Sequence, residues 1–566
     1  MLISRPNMIA LFLLFLCISA FAEDYVVVNS YDGRDVLTGI FYANAKGEPV
    51  KFMTPNADAD LFASTIGTGH SILLIQSSKP VSTFVQNSLT SHNNTVELYQ
   101  AVDGQQTNLD MAARSGASSF IVVDSAYSDS SLSVLSYAAY SKSYILLANK
   151  DIATQVAQIA KGKKVIIFGL VDSEVTKALS SSNPQVIGNG QDKFVDNLAM
   201  VQKTMDDYKT NEFIMVDGSK MEDSIAAGKM PIILTGSSLV PQPTYDFIDQ
   251  ALRQGKIKSV LLIGNDLVMP IYDMRHKMVT ELNAQGINKT FGIVVKFAQV
   301  IPSAGTTVMN LNTFPLPAYK PSLNISEVSY NQPSKQLMVS VANTGDGAAY
   351  YTMEIRVQVD GSDYKVFPSS APALIERGDS AGTQLDFDMS QIKSGNVTAN
   401  VLVKYGSSSS SLESFTSKIG PLTTISYVDE SNVSVQSAKY DSDKKSVLIT
   451  LKNNGAQTAY EFTKVGLMIG GSPVNITGSG AKEIQPSSLV VEELPLELSD
   501  ADLAANKNIH INVAYGARQG FLLKNEEYTL PLSIGTGLPI WLILLVVAII
   551  IVLIAAAAFF FLMKKK

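Results

Sequence analysis

The apolar positions of this chain fall into two textures that change near residue 316. Upstream they form short unbroken runs; downstream they alternate with polar residues. The upstream runs recur. YVVVN (25–29), FIVVD (120–124) and FIMVD (213–217) lie 95 and 93 residues apart. A second run follows each: VKFM (50–53), YILLAN (144–149) and PIILTG (231–236). A third set, SILLI (71–75), KVIIFG (164–169) and SVLLIG (259–264), is spaced 93 and 95. Unbroken runs of this length predict parallel strands covered on both faces. Between them, SSLSVLSYAAYS (130–141) and DIATQVAQIAKG (151–162) space their apolar residues helically, the second stopping at Gly162. Alternating strands and helices with right-handed crossovers predict three α/β units. They cover 24–117, 118–210 and 211–316, one module spanning 24–316.

After Pro315-Leu316-Pro317 the period becomes two. KQLMVSVANTGDGAAYYTMEIRVQVDG (335–361) and KKSVLITLKNNGAQTAYEFTKVGLMIGG (444–471) each read as strand, turn, strand, with Asn343–Gly347 and Asn453-Asn454-Gly455 as the turns, the Asn-Gly of the second being a hairpin cue. Each unit closes on a β-rich strand, VTANVLVKYG (397–406) or NIHINVAYG (508–516). Two immunoglobulin-like sandwiches are expected, at 317–425 and 426–535. Laid end to end they make a stalk on the order of 60–90 Å at ~3.3 Å per strand residue. The NTGDGAA turn resembles the CARDB-type adhesion-related sandwich family.

Two long apolar segments set the expected topology. Met1–Ala22 has the Arg5 n-region, an apolar core and an Ala20-Phe21-Ala22 cleavage site, and reads as a signal peptide; an uncleaved anchor and lipidation at Cys17 are the alternatives. Leu538–Met563 is 26 residues without a charge, long enough to span a bilayer, with Lys564–Lys566 behind it as a cytoplasmic tail. The fold class is therefore multidomain: an α/β triple-repeat head, two all-β immunoglobulin-like sandwiches and one transmembrane helix. The bulk of the chain is expected outside the cell, held in the membrane by a single pass.

Composition narrows the function. Only 17% of residues are charged, and 46% are hydrophobic, which excludes a wholly disordered chain. The formal charge of −7 becomes −11 once the four positive charges of Arg5 and Lys564–Lys566 are set aside. Such a surface repels phosphates, so no nucleic-acid partner is expected. Cys17 is the one cysteine, and the four histidines (His70, His92, His276 and His510) form no close pair. Disulfides, thiol chemistry and metal sites are not expected. Sequons at Asn93, Asn288, Asn324, Asn396, Asn432 and Asn475 are candidate glycosylation sites.

The repeated units also resemble the cell-wall-binding repeats of type 2, which occur in triplicate in surface proteins. The family's D-A-L-S-A-like helix start is matched by Asp35-Val36-Leu37-Thr38-Gly39 and Asp223-Ser224-Ile225-Ala226-Ala227, with Ser130-Ser131-Leu132 behind Asp129 in the middle copy. Its G-x-D-R-Y-E-T-A-like segment is matched by Gly190-Gln191-Asp192-Lys193-Phe194-Val195-Asp196-Asn197, and in part by Val102-Asp103-Gly104-Gln105; the third copy has no counterpart. The resemblance covers about half the chain and implies non-covalent attachment to anionic envelope polymers. Yet 24–316 holds only four arginines, Arg34, Arg114, Arg253 and Arg275, as forks for phosphate or carboxylate.

Candidate ligand residues follow from position. Asn29, Asp124 and Asp217 end the first strand of each copy, where open α/β sheets bind ligands; helix caps or loop hydrogen bonds are the structural alternative. Asp35 and Asp223 suit the first turns of helices. Lys193, beside Asp192, stands where the resembled family keeps arginine, and Arg34 is the other cationic candidate. Gly188–Asp192 is a loop before a helix, and Lys161–Lys164 precedes a strand, so neither is a phosphate loop of the nucleotide-binding kind. No GxSxG, SxxK or triad context appears. The reading is a non-enzymatic surface protein without cofactors, active in envelope architecture or adhesion. Its head would contact surface glycan, an anionic polymer or other surface proteins. An archaeal envelope fits by analogy. A surface hydrolase of glycan or peptide and a solute receptor are the alternatives.

Overall fold

The computed structural model describes residues 24–535 apart from 56, 189, 265, 288–290, 297–312, 318–320, 470–471, 479–480 and 497. The expected signal peptide (1–22), transmembrane helix (538–563), cytoplasmic tail (564–566) and the sequon at Asn288 lie outside the described residues. Among those described, no helix is long and apolar enough to cross a membrane.

The N-terminal region is α/β, built on three four-stranded parallel sheets. The first contains β1 (Tyr25–Asn29), β2 (Val50–Phe52), β3 (Ser71–Ser77) and β4 (Thr95–Ala101), in the order β2-β1-β3-β4. The second has β5 (Ser119–Asp124), β6 (Tyr144–Ala148), β7 (Lys164–Phe168) and β8 (Gln185–Ile187), in the order β6-β5-β7-β8. The third, after β9 (Glu212–Val216) and the short β10 (Lys220–Glu222), adds β11 (Ile232–Leu234), β12 (Ser259–Ile263) and β13 (Gly292–Lys296), in the order β11-β9-β12-β13. The nine apolar runs thus become the first three strands of each sheet, in one repeated order. β14 (Thr313–Pro315) pairs antiparallel with β10. The runs are apolar throughout because helices cover both faces; Val26, Val27 and Val28 are all fully buried. The inner faces of the sheets share one core, which joins Phe41, Tyr144, Ile214 and Phe314.

Two interlocking asparagines tie unit to unit. Asn108, on helix Gly104–Ser115, donates to the Ile145 carbonyl at 3.1 Å and accepts from the Leu147 amide at 2.9 Å, closing against β6 of the next sheet. Asn197, on helix Lys193–Tyr208, does the same to Ile232 O (2.8 Å) and Leu234 N (2.9 Å) of β11. Each also donates to a hydroxyl on the preceding inner helix, Thr38 for Asn108 and Ser133 for Asn197. Both asparagines are fully buried.

The C-terminal region is all-β and sandwich-like. The first unit has β15 (Leu323–Asn331), β16 (Gln336–Asn343), β17 (Ala349–Val359), β18 (Ser362–Phe367), β19 (Ala373–Ile375), β20 (Ser380–Asp386), β21 (Val397–Gly406), β22 (Ser414–Pro421) and β23 (Thr423–Ile425). They form the sheets β20-β16-β15-β23 and β18-β17-β21-β22, with β19 on β17. The second unit has β24 (Val433–Asp441), β25 (Ser446–Asn453), β26 (Ala459–Ile469), β27 (Ser472–Thr477), β28 (Lys482–Ile484), β29 (Leu489–Pro495), β30 (Asn508–Gly516) and β31 (Lys524–Gly535). Here β31 is long enough to pair with both β30 and β24, so it serves both faces.

Two expectations fail. The first concerns the Asn-Gly turns, which are corners rather than hairpins. β16 and β17 lie in different sheets, and β25 and β26 stand in one sheet with β30, β31 and β24 between them. The reason is the buried asparagine at each corner. Asn343 donates to Gly347 O and Ile375 O and accepts from Gly345 N. Asn453 repeats this with Gln457 O, Ile484 O and Gly455 N. Each side chain satisfies a turn the strands would otherwise close on each other, and pins the short strand of the opposite face.

The second is the stalk. Both sandwiches pack against the head. Tyr127 donates its hydroxyl to Ala348 O, and Ser409 donates its amide to Gln191 O at 2.9 Å. Helix Ser173–Ala178 carries Lys177 to within 3.9 Å of the buried Glu492 of the second unit. The second unit also grips the first through an Arg518–Glu327 ion pair. The three regions form one packed assembly rather than a rod, because each sandwich has a loop that fits the region before it.

Candidate functional site

The strand-end candidates do three different things. Asn29 is fully buried and commits its side chain to Gln76 Oε1 (2.8 Å), Ser82 O (2.7 Å) and Ser82 N (3.1 Å), fixing the loop after β3. Asp124 is buried beneath the first sandwich and accepts from Ala126 N at 2.8 Å. Burial, and then the neighbouring Asp172 carboxylate, push it up to about 8. Asp217 is half-exposed and accepts from the Ser219 amide (2.9 Å) and hydroxyl.

Arg34 pairs with Asp32 at 2.8 Å and packs against Gly104, whose absent side chain leaves room for it. Burial resists ionisation of Asp32, but the hydrogen bonds and charge of Arg34 outweigh it and hold the carboxyl below its usual range. Asp192 is the N-cap of helix Lys193–Tyr208, accepting from Phe194 N (2.8 Å) and Val195 N (3.2 Å). Asp103 caps helix Gly104–Ser115 in the same way. The loop before Asp192 does bind an anion, namely the chain's own Asp196. Gly190 donates its amide to Asp196 Oδ2 at 2.9 Å, and a Cβ on Gly188 (φ +82°) would stand 2.6 Å from the Asp196 carboxyl carbon.

Lys193 and Asp217 are brought together. Both line a cleft of about 250 Å³ between the head and the first sandwich. The head wall also supplies Ser128, Asp129 and Ser219, and the sandwich wall Ser407, Ser411, Glu413 and Ser414. Lys193 pairs with Asp129 at 3.3 Å, its side chain 34% exposed. A pit of about 20 Å³, the size of one water, leads from Asp129 and Lys193 toward Gly190 and Asp196. Asn29, Asp124, Asp192 and Arg34 do not line the cleft.

The sandwich wall is invisible to a sequence reading, because its residues come from a segment roughly two hundred positions or more away. The one available signal is the serine run 407–411, which packs here. Gly406 makes the wall possible, since a Cβ there would meet the Ser411 carbonyl at 2.1 Å.

Chemically the cleft offers hydroxyls and carboxylates. Three carboxylates face one lysine, so its charge disfavours an anionic ligand. Glu413 is exposed and accepts from the Ser411 hydroxyl at 2.7 Å. Among the described residues, no cluster of three or more His, Cys, Asp or Glu side chains is arranged for a metal ion. The sequon residues Asn93, Asn324, Asn396, Asn432 and Asn475 are all exposed.

No protein-family model matches the chain, and no curated protein matches it. Among solved structures, Cwp8 from Clostridium difficile is 16% identical with a TM-score of 0.38, over 46% of this chain and 48% of that one. Cwp6 from the same organism is 18% identical with a TM-score of 0.34, over 43% and 42%. A red sea bream transglutaminase is 12% identical with a TM-score of 0.14, over 39% and 31%. The chain thus spans less than half the length of each of these structures.

Proposed function

We propose that this chain is a non-enzymatic cell-surface protein whose head and first sandwich together bind an uncharged surface glycan, in a role of envelope architecture or adhesion. The observation that carries this reading is the cleft lined by Lys193, Asp129, Asp217 and Glu413 among serines. Ring and chain hydroxyls of a sugar pair well with such carboxylates and hydroxyls. An anionic envelope polymer would place its charge against three acids. The anchoring reading rests on the apolar stretch Leu538–Met563 and the lysines behind it. The cell-wall-binding and CARDB-like readings rest on the motifs quoted above.

The test is calorimetric titration of the chain with neutral oligosaccharides beside a phosphate-bearing polymer. The reading expects the neutral ligands to bind, and Lys193→Ala or Asp217→Ala to weaken them about tenfold or more, the scale of one charged hydrogen bond. Tighter binding of the anionic polymer overturns it. A second reading, a glycan hydrolase, is favoured by three carboxylates sharing one cleft. Release of reducing ends from the same oligosaccharides would select it.

A further inference from the structure

A second contact between the head and the first sandwich is built largely from acids. The turn Glu376–Asp379, between β19 and β20 of the first sandwich, sits over the carboxyl ends of β5, β6 and β7. Ser173 of the head donates its hydroxyl to Glu376 Oε2 at 2.9 Å. Asp172 is buried and accepts from the Lys150 amide at 2.7 Å, with Asp124 buried behind it. Glu174 faces Glu376 from helix Ser173–Ala178, and Asp379 faces it from its own turn.

The cations present offset this group only in part: Lys150 and Arg377 both act on Asp172, Arg377 acts on Asp124, and Lys150 acts on Asp379. Lys150 Nζ donates to the Arg377 carbonyl. Arg377 pairs with Asp151 at 3.2 Å. Lys177, on the same helix as Glu174, turns to Glu492 of the second sandwich. Among the described residues no ion pair joins Asp124, Asp172 or Glu376. Six carboxylates therefore meet three cations at this interface, one of them shared with Glu492, and three of the six have only neutral hydrogen-bond donors.

We propose that this seam is a proton-gated latch: the first sandwich docks on the head in mild acid and loosens above neutrality, which opens the glycan cleft that the two share. The last clause rests on the function proposed above; the latch itself does not. Burial, with repulsion from Glu174, Asp379 and Asp172, raises Glu376 to about 7. Burial also raises Asp172, and Asp124 reaches about 8, while Arg377 of the sandwich acts against both shifts; the coupling to docking is therefore carried by Glu376. Glu376 favours the docked form fully below its free value near pH 4.5, and that preference is lost as pH rises toward 7. Glu376 belongs to the sandwich and is bonded by Ser173 of the head, so undocking changes its surroundings, and one pKa unit is a tenfold change in the equilibrium. Because it is only half-buried, solvent screening reduces its full shift to about tenfold overall.

The test uses the full chain with Cys17→Ser and spin labels at Val186→Cys on β8 and Val366→Cys on β18, both exposed. Distances are measured without ligand at pH 5, 7 and 9. One narrow distance is expected at pH 5, with a longer, broader component growing about tenfold by pH 9. Glu376→Gln, on the sandwich surface, should hold the narrow distance at all three values, and Asp172→Asn by itself should reduce the long component at pH 9. An unmodified chain with the same distribution at pH 5 and 9, or a Glu376→Gln chain that opens as before, overturns the latch. A chain that opens with pH yet binds no oligosaccharide supports the latch and removes only the cleft reading.

Discussion

The two unit-joining asparagines show how much one buried amide can hold. Asn108 completes a backbone amide and a carbonyl of β6 that have no other strand beside them. Replacing it with alanine leaves both buried and unpaired, at about 1–3 kcal/mol for each such group. Asn108→Ala and Asn197→Ala should each lower stability by about 2–4 kcal/mol, read as a shift in denaturant midpoint. A loss under about half a kcal/mol would mean that water replaces the side chain. Asp192 tests the opposite case, a candidate ligand that the structure makes a cap. Asp192→Ala should cost about 1 kcal/mol and Asp192→Ser much less, read as a shift in denaturant midpoint; because Asp192 also accepts from the Ser410 hydroxyl of the sandwich loop, any loss of oligosaccharide affinity acts through that loop and stays below that of Lys193→Ala. Such roles hide from sequence because N-cap aspartates and ligand aspartates occupy the same position ahead of a helix.

Among the elements, legibility follows burial. The apolar strands announce themselves because both faces are dry. The fourth strand of each sheet does not. Thr95–Ala101 (TVELYQA) is an edge strand with much of its surface in water, so no apolar run marks it. β13 is likewise exposed at Val294 and Val295. The Asn-Gly corners read as hairpins because hairpins and inter-sheet corners use the same turn residues. Only the strand-pairing partners distinguish them. The loop after the penultimate long strand is another paired element. A Cβ on Gly406 would stand 2.1 Å from the Ser411 carbonyl oxygen, and one on Gly516 would stand 2.0 Å from that of Phe521. In the first sandwich that loop docks on the head; in the second it docks on the first, where Gly382 donates its amide to Gly520 O. Gly406→Ala should displace the 407–411 loop and weaken glycan binding while leaving the sandwich core folded. Near-ultraviolet dichroism beside titration would check both halves.

Over the whole molecule, buried acids make stability depend on pH. Glu461 is buried in the second sandwich beside Glu492, accepts from Thr463, and is raised to about 7, chiefly by burial. Its folded value exceeds its unfolded one, so its favourable contribution is complete below about pH 4.5 and is lost as pH rises to 7. The chain should melt at progressively lower temperature across that window. Glu461→Gln should flatten the fall by up to roughly 3 kcal/mol. A slope unchanged by the substitution would assign the dependence elsewhere. The packing of both sandwiches on the head also predicts a compact particle. Scattering from residues 24–535 should give a radius of gyration of roughly 25–30 Å, near the scaling for a compact chain. A markedly larger value would restore the stalk.

The order of residues alone dictates the repeated unit. Strand order, inner helices and the change of period near residue 316 all follow from local burial, which periodicity records directly. Where those units lean on one another is settled only by folding. It sets Lys193 and Asp217 opposite Glu413, puts a sandwich turn over Asp124, and turns the expected stalk into a packed assembly. The physical reason is that docking depends on a few loop residues and their charges, spread over distant segments, and no periodic signal encodes which loop meets which strand end.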